Sequence, residues 1–184
     1  MGVILYGGAF DPPHLGHVAV AAAARERFHA EELVVLVSER PAHRAVHASP
    51  EDRLALARAA FPGDEVRFDP YPRTVELLRA EPFKDPVFVV GADQFRGFLS
   101  WSEPAEVLER TRLAVATRPG FSQPELDAVL EQLARPQRVL FFEIEPNPAA
   151  STDVRARVAA DASVDDLVPS AVAALIRERG LYHP

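Results

Sequence analysis

The sequence predicts an α/β protein, a single-domain doubly wound parallel sheet over residues 1–184 with a helical segment at its C-terminal end. Three observations carry this. Short apolar runs rich in Val, Ile and Leu recur along the chain; stretches with helix-start and helix-stop signals lie between them; and the runs end in glycine or polar residues. Continuous apolar runs belong to strands covered on both faces, and parallel strands must be joined by crossovers, usually helices.

The elements follow in order. Val3-Ile4-Leu5 is the first strand, and the alanine-rich stretch from Val18 to Phe28 is a helix. Between them, Tyr6 to His17 packs glycines, prolines and two histidines into the turn from strand to helix. Glu32 to Val37 is the second strand, and Ser38 to Ala48, holding Arg40, His43, Arg44 and His47, is a polar loop leaving its carboxyl end. Ser49-Pro50-Glu51-Asp52 starts a helix, with serine as N-cap, proline at the first helical position and acids in the first turn. Leu54, Leu56, Ala57 and Phe61 carry that helix onto the core, and Pro62-Gly63 ends it.

Val66-Arg67-Phe68 forms a short strand, Tyr71-Pro72-Arg73 a turn, and Thr74 to Glu81 a helix capped by Thr74. Pro86 opens the strand Val87 to Val90, which stops at Gly91-Ala92-Asp93. Glu103 to Arg110 is a helix after Trp101-Ser102, and Leu113 to Ala116 a strand ending at Thr117-Arg118-Pro119-Gly120. Ser122 caps a helix running to about Leu133, and Arg138 to Phe142 is the last strand. Pro146-Asn147-Pro148 prevents any regular element. Ser151-Thr152-Asp153-Val154-Arg155 begins a short helix on good capping residues, and Pro169 to Arg179 is a terminal helix with Gly180 at its C′ position.

Composition narrows the function classes. A chain of 184 residues, 48% hydrophobic, closes one substantial core. Its net charge of −7 offers no broad basic field to a nucleic-acid backbone or an anionic membrane, so neither is expected as a partner. The chain has no cysteine, which excludes disulfides and thiolate metal sites, and no apolar run approaches the length of a membrane span. The expected location is the cytoplasm. Nothing in the sequence fixes an oligomeric state.

In a doubly wound sheet the ligand lies outside the carboxyl ends of the strands, at the switch point. Gly7, Gly8, His14 and His17 follow the first strand; Gly91 and Asp93, then Arg118, follow later strands; Ser151 to Arg155 follows the last. Gly7 and Gly8 let backbone approach an anion, and a helix starting near Gly16 directs its positive end there. His14 and His17, three apart on a first helical turn, can both donate to one oxyanion. Histidines with Asp11 are also a zinc or iron donor set, and satisfied histidines among turn glycines make a purely structural loop. Ser151, Thr152 and Arg155 form an anion clamp, a spacing that an ordinary capped helix also satisfies. Trp101 is either core or a stacking surface for a planar ring, and Arg118 either a phosphate contact or a solvated turn. Neither the G-x-G-x-x-G fingerprint nor a Walker A sequence is present.

Taken together, these motifs resemble the HxGH superfamily of nucleotidylyltransferases and, within it, the bacterial nicotinate-nucleotide adenylyltransferases. Gly7 to His17 is similar to G-G-x-F-D-P-x-H-x-G-H, and Ala150 to Arg155 to S-S-T-x-I/V-R, the pair lying about 135 residues apart. Gly91-Ala92-Asp93-Gln94 with Trp101, Arg118-Pro119-Gly120, and the terminal Val168-Pro169 to Gly180-Leu181-Tyr182 resemble the nicotinate-nucleotide branch. Three positions depart from the pattern: Arg44 stands where the family often has lysine, Ala150 replaces the first serine, and Arg73 to Leu78 matches loosely.

The resemblance implies adenylyl transfer from ATP to nicotinate mononucleotide, giving nicotinic acid adenine dinucleotide and pyrophosphate, with magnesium, in NAD biosynthesis. It implies His14, His17 and Arg155 as catalytic residues. Gly7, Gly8, Phe10, Gly16, Arg44, Gly91, Asp93, Ser151 and Thr152 would bind ATP, and Thr74, Trp101 and Arg118 the mononucleotide. No protein metal site is implied. The alternatives are a sister enzyme using nicotinamide mononucleotide or phosphopantetheine, a silent nucleotide-binding module, and a metal hydrolase.

Overall fold

The computed structural model describes residues 2–41, 45–118 and 123–183. Among these, β1 (Val3–Gly8), β2 (Glu32–Ser38), β3 (Glu65–Asp69), β4 (Val87–Gly91), β5 (Arg112–Thr117) and β6 (Val139–Glu143) form a single sheet. The order is β3-β2-β1-β4-β5-β6 and every neighbouring pair is parallel. The helices are α1 (Leu15–Phe28), α2 (Pro50–Ala60), α3 (Thr74–Ala80), α4 (Ala92–Arg96), α5 (Pro104–Arg110), α6 (Gln123–Leu130), α7 (Ser151–Ala159) and α8 (Ser170–Arg179).

The apolar runs are continuous because both faces of each strand are buried. In β1, Ile4 and Tyr6 enter a layer with Ala21 and Ala24 of α1, Leu56 of α2, Val154 of α7 and Val172 of α8. Val3 and Leu5, pointing the other way, meet Val75 of α3, Phe95 of α4, Val107 of α5 and Leu126 of α6. The chain winds outward through β2 and β3, then returns to place β4 on the free side of β1. The switch point therefore lies between the carboxyl ends of β1 and β4, at Gly8 and Gly91.

The predicted doubly wound architecture is observed, with shifts at element ends. Strand β1 continues beyond Leu5 through both glycines, and α1 begins at Leu15, with His14 as its cap, rather than at Val18. Ser49 caps α2 as expected, accepting from the Asp52 amide at 3.1 Å. Thr74 does not cap α3: Arg73 takes the extended cap conformation and Thr74 is the first helical residue. Helix α4 is an element the sequence reading omits, since five residues are too few to show a helical period. Glu103 stands before α5 in a left-handed conformation, φ 51°, so that Pro104 opens the helix. Ser122 lies outside the described residues.

Arg53 is the largest side chain in the interior and is fully buried. Its Nη1 donates to the carbonyls of Ala9 (2.9 Å) and Ser38 (2.7 Å), and its Nη2 to that of Glu39 (2.9 Å). One guanidinium thus joins the loop after β1 to the end of β2. Arg53→Met roughly keeps the volume but leaves three part-buried carbonyls without their donor. The expected loss is about 3 kcal/mol, roughly 1 kcal/mol for each acceptor stranded, measured by urea unfolding followed by circular dichroism. A loss under about 0.5 kcal/mol, the low end for a single hydrogen bond, would show that water replaces the guanidinium there.

Candidate active site

The turn from β1 to α1 is held from below by one ring. A Cβ at Gly8 would stand 3.0 Å from the Phe10 ring, so any larger residue there would have to displace that ring. Phe10 adopts φ 50°, an uncommon conformation outside glycine, and in doing so buries its ring. The ring meets Tyr6 and Phe61 edge-on, with centroids 5.6 and 5.9 Å away. The Phe10 ring is core, and its position fixes where the next residues emerge.

Those residues are the two histidines, and their rings close the start of α1 on itself. His14 Nδ1 accepts from the Gly16 amide and His17 Nδ1 from the His14 amide, each at 3.1 Å. A neutral imidazole that accepts at Nδ1 carries its proton on Nε2, so both rings are set as Nε2–H donors. The ring centroids lie 3.8 Å apart. Burial, with the positive charge of Arg118 second, lowers the His14 imidazole to about 4, against an opposing pull from Asp153. Gly16 is required by the same geometry, because a Cβ there would fall 2.9 Å from His14 Nδ1 and Cε1.

One expectation is corrected here. The first amides of α1 do not face an anion: Leu15 donates to the Leu167 carbonyl, Gly16 to His14, and His17 and Val18 to the His14 carbonyl. The positive end of the helix is presented through imidazole N–H groups instead. Helix α7 is built the other way. Its cap is Ala150, which has no side-chain acceptor, so no side chain closes over the Ser151 and Thr152 amides. The alanine that replaces the family's serine leaves this end open for an anion.

The two signatures are bonded directly to each other. Ser151 Oγ donates to the Pro12 carbonyl at 2.8 Å, and Arg155 Nη1 to the Asp11 carbonyl at 2.7 Å. Arg155, one turn into α7, uses one of its five donors for this. His14, His17, Gly16, Ser151 and Arg155 therefore come together, with the half-exposed histidines on the same edge as Arg118, whose charge reaches His14. Thr152 is exposed beside Ser151.

The remaining expected residues are more loosely placed. Gly91 ends β4 with ordinary dihedrals, and a Cβ built there meets nothing within 4 Å. The protein itself does not demand glycine at that point, which faces the crevice at the switch point. Asp93, in the first turn of α4, has its side chain 82% exposed and paired with Arg96 at 3.3 Å. Trp101 packs edge-on against Phe98 and Phe88, at 5.3 and 6.4 Å, and so is in part a core residue of the second layer. Thr74, partly exposed, is the first residue of α3, whose Val75, Leu77 and Leu78 pack into that same layer, and Arg118 is exposed just beyond β5. Arg44 lies outside the described residues.

A metal centre of His14, His17 and Asp11 is not formed. Asp11 is buried and its carboxylate accepts from the His47 amide (2.7 Å), the Ala48 amide (3.0 Å) and the Tyr182 hydroxyl (2.9 Å). Among the described residues no three His, Asp or Glu side chains cluster as an ion site. Arg53 and Tyr182 are the residues of the site that sequence reasoning passed over. Arg53 had a signal: with Leu56, Ala57 and Ala60 it falls on the i, i+3, i+4, i+7 stripe that α2 buries.

The switch-point crevice thus brings imidazole donors and an open helix start to one edge, and comparison with known proteins gives the class. Residues 5–157 match the cytidylyltransferase-like family, and the chain belongs to that class. It is 34% identical to a probable nicotinate-nucleotide adenylyltransferase of Bordetella avium, covering 98% of this chain and 97% of that one. It is 33% identical to one of Salinibacter ruber, covering 100% and 99%. Within the class, the chain is a member of the nicotinate-nucleotide adenylyltransferase family. Nicotinic acid mononucleotide adenylyltransferase of Plasmodium falciparum complexed with NaAD has the same fold, with TM-score 0.75, 15% identity and coverage of 98% and 96%.

Two outcomes follow from the histidine geometry. In ring 15N NMR, His14 should show an acceptor Nδ1 and a protonated Nε2, titrating near pH 4. Because the unfolded ring titrates near 6.5, its contribution to stability is full above that pH and is lost as pH falls toward 4. A midpoint at or above 6.5 would overturn the assignment. Gly16→Ala should push the His14 ring aside and lower turnover by on the order of 10²-fold, while circular dichroism stays native; equal turnover would mean that the ring does not act from this position.

Proposed function

We propose that the protein transfers the adenylyl group of ATP to nicotinate mononucleotide, releasing pyrophosphate and forming nicotinic acid adenine dinucleotide, a step of NAD biosynthesis. The observation that carries the reading is the direct bonding of the β1–α1 histidine turn to the start of α7 at the switch point. It is supported by full-length relatives of that name and by a structural neighbour complexed with NaAD.

The chemistry asks little of side-chain acids and bases. A phosphate oxygen of the mononucleotide attacks the α-phosphorus of ATP, the bond to the bridging oxygen breaks, and pyrophosphate leaves with that electron pair. A phosphate monoester has its second pKa near 6, so the nucleophile is largely dianionic at neutral pH and needs no general base. What remains is positioning and charge stabilisation. His14 and His17 would donate from Nε2 to the phosphates, His17 toward the α-phosphate, while Ser151, Thr152 and Arg155 hold the β and γ phosphates. Gly7, Gly8, Gly16 and Gly91 give the nucleotide its approach, and Asp93 meets the ribose hydroxyls. Thr74, Trp101 and Arg118 take the mononucleotide, Trp101 at the pyridine ring and Arg118 at the phosphate. Magnesium enters as part of the substrate, carried by the triphosphate.

Steady-state assays with MgATP test the acceptor: kcat/KM should favour nicotinate over nicotinamide mononucleotide, and a ratio favouring the amide would replace the substrate assigned here. Absence of pyrophosphate release with either would leave only a nucleotide-binding module. His17→Ala should reduce pyrophosphate release by on the order of 10²-fold or more with the fold intact; unchanged turnover would remove His17 from the reaction.

A further inference from the structure

The C-terminal tail reaches the site by a route that adenylyl transfer alone does not explain. After α8, Gly180 at φ 61° and the Leu181 amide, donating to the Ile176 carbonyl at 3.0 Å, turn the chain back. Arg179 pairs with Asp52 at the start of α2 at 2.7 Å. Tyr182 then adopts φ 68°, a left-handed conformation that a residue with a Cβ rarely takes unless its surroundings hold it there. What holds it is Asp11: the Tyr182 hydroxyl donates to Asp11 Oδ1 at 2.9 Å, across 171 residues.

Asp11 is where this contact matters. Its carboxylate is buried: the His47 amide and, at 3.4 Å, the His47 ring Nδ1 lie on Oδ2, while the Ala48 amide and the tail's Tyr182 hydroxyl donate to Oδ1. Its own carbonyl receives Arg155, the next carbonyl receives Ser151, and two residues further stands His14. A buried carboxylate that loses a donor is left undersatisfied and moves to find another. A shift of Asp11 carries with it the two carbonyls that seat α7 and the backbone that aims His14. Burial and the Asp11 charge raise the Tyr182 phenol well above its usual value, so the hydroxyl remains a donor throughout the working pH range.

We infer that Tyr182 is a positioning residue for the reaction: by its hydroxyl bond to Asp11, the tail fixes the β1–α1 turn so that His14, His17, Ser151 and Arg155 address the same triphosphate. The inference rests on the adenylyl-transfer reading. It assigns to the end of the chain a part in ATP binding and turnover, beyond packing against α2.

The test is Tyr182→Phe in the full chain, which removes one oxygen and keeps the ring. Assayed by pyrophosphate release well below its melting temperature, the variant should lose roughly tenfold in kcat and bind MgATP more weakly by calorimetry. Its KM for the mononucleotide should stay within about twofold of wild type, as expected for uniform binding left untouched. A merely structural tyrosine would lower the melting temperature without this split. In a double-mutant cycle with Asp11→Asn, the two losses in kcat should be non-additive, because the hydroxyl acts through the carboxylate. Wild-type kcat and MgATP affinity in Tyr182→Phe, or fully additive losses, would overturn the positioning role. Wild-type protein that releases no pyrophosphate overturns the functional reading instead, and the two failures are read from different samples.

Discussion

The burial of Asp11 is the constraint on which the site depends. An ionised carboxylate in the interior is tolerated only when its oxygens are fully engaged and charge is compensated nearby. Here two backbone amides and a tyrosine hydroxyl supply the shortest hydrogen bonds, the His47 ring lies 3.4 Å from Oδ2, and the Asp11 and Arg53 charges stabilise one another. These partners come from the segment before α2, from α2 itself and from the tail after α8. Satisfying one side chain therefore fixes the relative placement of segments far apart in sequence. The phosphate-facing turn inherits that placement, since the carbonyls of Asp11 and Pro12 are the acceptors for Arg155 and Ser151.

The sheet and its helices were largely legible in the sequence because burial on both faces writes strands as uninterrupted apolar runs. The run from Leu33 to Val37 can be nothing else at that length. Helix α2 was equally plain, since Ser49, Pro50 and two acids each satisfy a different requirement of a helix start. Legibility failed where the determinant is long-range or too short to have a period. Helix α4 spans five residues, and α3 takes its cap from an arginine because chain direction, not side-chain chemistry, sets that boundary. In the site, His14 and His17 stand out by type and spacing, whereas the spacing of Ser151 and Arg155 fits an ordinary capped helix equally and only the family-like pattern singles them out. Asp11 was visible but misleading, because carboxylate beside histidine fits a metal as well as a structural hub. Only partners 36 to 171 residues away decide between them. Tyr182 stood out only as part of a family-like tail, and nothing local tied it to Asp11.

On the proposed reading, the contrast between the two helix starts would let one edge hold a triphosphate without becoming a general anion trap. At α7 no side chain caps the Ser151 and Thr152 amides, and the hydroxyl and guanidinium are seated on neighbouring carbonyls, a broad electrostatic grip that would suit a pyrophosphate group taking up the electron pair of the broken bond. At α1 the amides are already used, and the dipole acts through rings whose Nε2–H groups have a fixed direction. Donors of the second kind discriminate by position.

That difference bears on why His14 is held neutral. A protonated imidazole could not accept from Gly16, so charging the ring would break the cap that aims it. Burial and the Arg118 charge both oppose that event. A cation at this point would also attract the triphosphate before reaction nearly as well as during it, and uniform binding of that sort lowers KM without raising kcat. Neutral, directed N–H groups, that of His17 toward the α-phosphate in the proposed arrangement, would gain most where a phosphate oxygen accumulates charge during transfer. The nucleophile arrives as an ionised phosphate, so the ring has no proton to accept and its protonation state can remain constant through turnover. Rigidity is then the property that the site must supply. The buried cluster of Asp11, Arg53 and Tyr182 lies directly under the turn that needs it.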